Sequence, residues 1–125
     1  VKPPRTERKG IQVLRRTNGG LLEPVTFVEL DTHVGWVAAH PSNGCLYASG
    51  NGQVRALRAH ADGSLTPVGA PVDSCGNAAH LDLSLDGGWV LVANYSAGTI
   101  ASLPVKADGS VGPCADSKSH MPVKG

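Results

Sequence analysis

Hydrophobic and polar positions alternate along this chain in short runs, each closed by a turn. Over 52–59, "GQVRALRA" sets Val54, Ala56 and Arg58 against Gln53, Arg55 and Leu57, the two-residue period of a half-buried strand. "HADGSL" follows and predicts a tight hairpin, because Asp62-Gly63 supplies the positive-φ positions such a turn requires. Beyond it, "AAHLDLS" (78–84), the turn 85–88 and "WVLVANY" (89–95) read as a second hairpin, and "GTIASLPV" (98–105) continues the sheet; 89–95 is the most strongly β-forming run in the chain. Closer to the amino terminus, "GIQVLRR", "VTFVEL", "GWVAAH" and "CLYASG" repeat the grammar, with "PSNG" (41–44) as a turn.

The turns themselves recur. "ADGSLTPV" from Ala61 and "ADGSVGPC" from Ala107 are close copies, and "NGGLLEPV" from Asn18 is a looser one, which sets Gly20, Gly63 and Gly109 at intervals of 43 and 46 residues. About four short strands fit in each interval, the signature of a β-propeller blade. The fold expected is therefore all-β, a partial β-propeller of about two and a half four-stranded blades. A basic tail occupies 1–9, and the blades are expected at 10–51, 52–97 and 98–125. A β-sandwich or an irregular meander is the competing reading, but neither requires near-identical turns.

Composition agrees with thin elements and many turns: of 125 residues, 16 are Gly and 9 are Pro. Lys2, Arg5, Arg8, Lys9, Arg15 and Arg16 crowd the amino end beside one acid, Glu7. Such a cluster, with no aromatics interleaved, reads as a solvated arm rather than a nucleic-acid site. Cys45, Cys75 and Cys114 are odd in number and contain no CxxC pair. They predict neither a disulfide framework nor a zinc site, so the expectation is reduced thiols in a cytoplasmic chain with no bound metal or cofactor. No apolar run reaches membrane-spanning length.

The stretch "GNAAHLDLSLDGGWVLVANYSAGTIASLPVKADGSVGP" from Gly76, with "HPSNGCLYA" and "GIQVLRRTNGGLLEPV" before it, resembles the seven-bladed propeller lactonases of the 6-phosphogluconolactonase type, a family that also includes fungal muconate-lactonizing enzymes. The resemblance runs from about Gly10 to Gly125. It implies the first third of such a protein: the family's first Tyr-Val-Gly-Thr-like strand is replaced here by "VKPPRTERK", and its Arg-Gln-x-Gly-Pro-His-x-His motif would follow residue 125. It also implies a small-molecule lactone as substrate. A non-catalytic binding or assembly segment is the alternative, with self-association through open blade edges.

Lactone hydrolysis needs a base for water and donors for the developing oxyanion. His80 is the candidate base, on the strand expected to line the channel, with Asp82 two residues on and on the same face to orient it. Asn94 and Tyr95 match the family's Asn-Tyr pair and are candidate substrate contacts, or else loop and packing residues. His40 is expected to open a Pro turn, and His60 and His120 to lie on the surface. The Asp-Gly pairs lack the spaced oxygens of a calcium loop and read as turns.

Overall fold

Every regular element among the described residues is a strand, in a computed structural model that describes residues 8–78, 80–94 and 98–119. The strands are β1 (Gly10–Arg16), β2 (Leu22–Glu29), β3 (Trp36–Ala39), β4 (Cys45–Gly50), β5 (Gln53–Ala59), β6 (Leu65–Asp73), β7 (His80–Leu83), β8 (Trp89–Asn94), β9 (Thr99–Pro104) and β10 (Asp116–Ser119). They form antiparallel sheets in the orders β1-β2, β3-β4-β5-β6 and β7-β8-β9-β10. The expected all-β partial propeller is what the chain adopts: two four-stranded blades and a two-stranded unit.

The blade boundaries fall elsewhere than at 51/52 and 97/98. Those positions lie between β4 and β5 and between β8 and β9, inside the two sheets, and the sheets instead divide at the loop after Asp73. The repeated turn joins the last two strands of a blade, so counting from it sets the phase two strands off. The same logic identifies β1-β2 as the outer half of a blade. Arg16 pairs with Leu22, Ala59 with Leu65 and Val105 with Val111, one register at all three copies.

The later two of the repeated turns are docking elements. In all three copies one backbone pattern recurs: the carbonyls of Thr17, His60 and Lys106 accept from the amides of Gly20, Gly63 and Gly109, and their own amides donate to the carbonyls of Leu21, Ser64 and Ser110. The later two glycines, at φ of 90° and 91°, press on the preceding sheet. A Cβ at Gly63 would stand 2.8 Å from Val25 Cγ1, and one at Gly109 2.8 Å from Cys45 Sγ. The tips of these two hairpins thus take a residue without a side chain for both conformational and steric reasons. Around Gly109 the seat is polar as well. The Tyr47 hydroxyl donates to the Gly109 carbonyl at 2.6 Å and accepts from Asn43 Nδ2 at 3.0 Å, while Arg58 donates to the Asp108 and Asn43 carbonyls. Burial raises the Tyr47 phenol above its ordinary range.

Between the blades lies the core of Tyr47, Val54, Ala56, Leu81, Val90, Val92, Ala101 and Leu103, with Cys45 and Val111. Leu57, expected on a polar face, is buried too, because the first blade is covered on both sides. The thiol expectation also fails: Cys75, in the loop between blades, pairs with Cys114, just ahead of β10, as a disulfide across 39 residues, and only Cys45 is free among the described cysteines. Wide sequence spacing says nothing against proximity once a four-stranded blade folds back on itself.

Asp62, Asp86 and Asp108 each accept a serine hydroxyl at 2.6 Å and a backbone amide at 2.9 Å. Those bonds, the serine hydroxyl first, hold all three carboxyls below the usual aspartate range. A carboxyl lowered in the folded state contributes stability above its unfolded pKa and loses it as pH falls through the folded value. The melting temperature is therefore expected to decline on acidification below the ordinary aspartate range, and the triple variant Asp62→Asn, Asp86→Asn, Asp108→Asn to decline less steeply. Parallel slopes in thermal melts across pH would count against this role.

Candidate functional site

β3 and β7 are the first strands of their blades and lie against one another at the inner edge of the arc. The registers match: Trp36 pairs with Ser49 as His80 pairs with Ala93, so Trp36 and His80 are corresponding residues of consecutive blades. Their rings meet edge to face, centroids 4.2 Å apart at 73°. The apolar contact orients the imidazole while leaving the side chain exposed. Asp82 stands on the same face, as the period of two requires, but its Oδ1 accepts from the Leu83 amide at 2.8 Å, and no hydrogen bond joins it to His80 among the described residues. A shallow concavity bounded by His80, Asp82, Leu91, Ala93 and Ile100 opens beside them. Among the described residues no three His, Cys, Asp or Glu side chains gather as a metal site.

Asn94 lies on the other face of the sheet. β8 buries Val90, Val92 and Asn94 and exposes Trp89, Leu91 and Ala93, so Asn94 is turned away from His80 and is 1% accessible. Its Nδ2 donates to the Ser74 carbonyl and to Thr99 Oγ1, each at 3.1 Å. Ser74 in turn donates from its hydroxyl to the Gly52 and Gly76 carbonyls. A Cβ at Gly76 would lie 2.8 Å from Asn94 Cβ, which is why the loop has glycine there. Asn94 therefore clamps the inter-blade loop through the Ser74 carbonyl. Asn94→Ala is expected to cost about 1 to 3 kcal/mol in urea unfolding, the range for stranding buried hydrogen-bonding groups; a loss below about 0.5 kcal/mol would contradict the clamp. Tyr95 and His120 lie outside the described residues.

The family model described as lactonase, 7-bladed beta-propeller, matches residues 3–124. The chain belongs to that lactonase family. A protein of Bacteroides fragilis provisionally assigned as a 6-phosphogluconolactonase superposes with a TM-score of 0.82 at 20% identity, over 95% of this chain and 35% of its own length. The periplasmic gluconolactonase of Pseudomonas aeruginosa superposes with a TM-score of 0.79 at 26% identity, over 92% of this chain and 36% of its own. A Lactobacillus plantarum protein gives 0.73 at 19% identity. No curated protein gives a significant match. This chain thus spans about a third of the length of its solved relatives.

Sequence reasoning passed over several residues that shape this lactonase arc. His40 does more than open a turn: its Nδ1 accepts from the Ser42 and Asn43 amides, each at 3.0 Å, and its Nε2 donates to the Gly87 carbonyl of the next blade at 2.8 Å. That set of partners requires the neutral Nε2–H tautomer. Trp36 carried a usable signal, since it opens the β3 run as His80 opens that of β7. His60, on the surface as expected, bonds Thr66 Oγ1 at 2.8 Å.

Proposed function

We propose that this chain forms part of a hydrolase that opens a six-carbon sugar lactone, and that His80 is its general base. The substrate we favour is 6-phosphogluconolactone, which places the reaction in the pentose phosphate pathway. The observation that carries the reading is the exposed His80 imidazole on the inner strand β7, oriented by Trp36. In the step proposed, an imidazole nitrogen takes a proton from water and the resulting hydroxide adds to the lactone carbonyl carbon. The tetrahedral oxyanion then collapses, the ring C–O bond breaks, and the ring oxygen leaves as an alcohol carrying the proton returned by the imidazolium.

The described residues bring no set of oxyanion donors beside His80, because Asn94 is committed to the opposite face. We therefore assign those donors, and the cations for a phosphate, to further blades of the family's ring, and expect no activity from the chain alone. The test is acid release from 6-phosphogluconolactone, corrected for spontaneous opening. A polypeptide carrying this chain with further blades should accelerate it and the 125-residue chain should not. No acceleration by the longer polypeptide would overturn the reading.

A further inference from the structure

The disulfide stands apart from the repeat that builds the rest of the fold. Two loops lead into the complete blades, one from β2 to Trp36 and the other from β6 to His80. The first, residues 30–35, contains no cysteine, so entering a blade does not require a bridge. The second carries Cys75, joined to Cys114 just ahead of β10. Cys75 and Cys114 are both half-buried, whereas the free Cys45 is buried in the core. Solutes can therefore reach the bridge and not the remaining thiol.

The closed bridge holds a backbone that works against it. Cys75 has a φ of 64°, the left-handed region that disfavours any residue with a side chain. Three restraints keep it there: the disulfide, the bond from its amide to Asp73 Oδ1 at 2.7 Å, and the Asn94 clamp on the Ser74 carbonyl. Opening the bridge removes the first and leaves the Asp116 carbonyl, 3.4 Å from Cys114 Sγ, to accept the new thiol proton. The dithiol form thus has a partner of its own. Directly downstream of the loop is β7, a strand of four residues hydrogen-bonded to β8 on one side only. Its place, and with it the ring contact of His80 on Trp36, depends on the loop that feeds it.

We infer that Cys75 and Cys114 form a thiol–disulfide switch on the inner edge of the arc: the closed bridge sets β7 so that His80 meets Trp36, and the dithiol form releases it. Its effect on hydrolysis rests on His80 being the base; its effect on the ring contact does not. The oxidant is a small disulfide of the glutathione type. One cysteine thiolate attacks it, which forms a mixed disulfide and expels a first glutathione thiolate. The second cysteine thiolate then attacks the protein sulfur of the mixed disulfide and expels the other. In all, the two cysteine thiols lose two electrons and two protons, and two molecules of reduced glutathione carry them away. Reduced glutathione in excess runs both exchanges backwards.

The test uses a polypeptide that carries this chain and the further blades, equilibrated across ratios of reduced to oxidised glutathione. Alkylation and mass spectrometry give the closed fraction, NMR follows the contact between the His80 and Trp36 rings, and acid release from 6-phosphogluconolactone gives kcat. As the bridge opens, the ring contact should fade in step with the closed fraction and kcat should fall by about 10- to 100-fold, the scale for a misplaced catalytic group. The β-sheet circular-dichroism spectrum should persist, and reoxidation should restore both readouts. The double variant Cys75→Ser with Cys114→Ser should stay in the low-rate state at every ratio, while Cys45→Ala should switch as the unaltered protein does. A ring contact that persists in the dithiol form would overturn the inference whatever happens to kcat. A bridge that no ratio opens would overturn it too, as would a dithiol form without the β-sheet spectrum, which would make the bridge a structural staple. A fading contact with an unchanged kcat would uphold the switch and count against His80 as the base instead.

Discussion

Replacing His80 with Gln in a polypeptide that carries this chain and the further blades is expected to lower kcat for 6-phosphogluconolactone hydrolysis by about 10²- to 10⁴-fold, the range for a lost general base. That corresponds to about 3 to 5 kcal/mol of transition-state stabilisation. KM should change little, because an amide of similar size keeps the contacts of the side chain and loses only its capacity to take a proton. The strand should tolerate the change: β7 is the inner edge of its sheet, His80 is exposed there, and its ladder partner is the small Ala93. An unchanged kcat would make His80 a packing residue for Trp36 and move the base to another blade.

The second large effect is on stability. Reducing the Cys75–Cys114 disulfide, or replacing both cysteines with serine, is expected to cost about 4 kcal/mol, the loop-closure entropy of a span of this length. Against the roughly 5–15 kcal/mol typical of a whole domain, from about a quarter to most of the total is at stake. The bridge ties the loop that enters the second blade to the segment that leads into its last strand, so both ends of the blade are held in one place. Denaturant unfolding with and without reductant measures it. A shift below about 1 kcal/mol, or two free thiols at these positions in the unreduced protein, would remove the bridge from the account.

The fold was legible because each strand is short, alternates cleanly and ends in a turn with its own chemistry. Asp62-Gly63 and Asp108-Gly109 announce hairpins whatever surrounds them, and their spacing implies blades. The phase of the blades was not legible from those turns: "ADGS" marks the outer hairpin of a blade, and nothing in the turn says which pair of strands it joins. The two faces of β8 were readable in advance, since Asn94 falls in the same alternating set as Val90 and Val92 and must share their burial. An asparagine at a core position points to a clamp before it points to a ligand. What could not be read locally was contact at long range. Cys75 meets Cys114 because the second blade folds back on itself, while His40 with Gly87 and Tyr47 with Gly109 meet only because one blade lies on another, and the arrangement of blades follows from the whole repeat rather than from any segment of it.

In the proposed enzyme the chemistry of this chain faces the inner edge at His80 while Asn94 works inside the sheet. Side-chain NMR of the polypeptide with further blades, titrated with the hydrolysis product as a stable stand-in for the lactone, tests it most directly. The account predicts that the His80 imidazole and Trp36 indole resonances shift as the ligand saturates, while the Asn94 side-chain amide and the His40 ring, both committed to backbone partners, stay where they are. Movement of the Asn94 amide with His80 and Trp36 unmoved would contradict it.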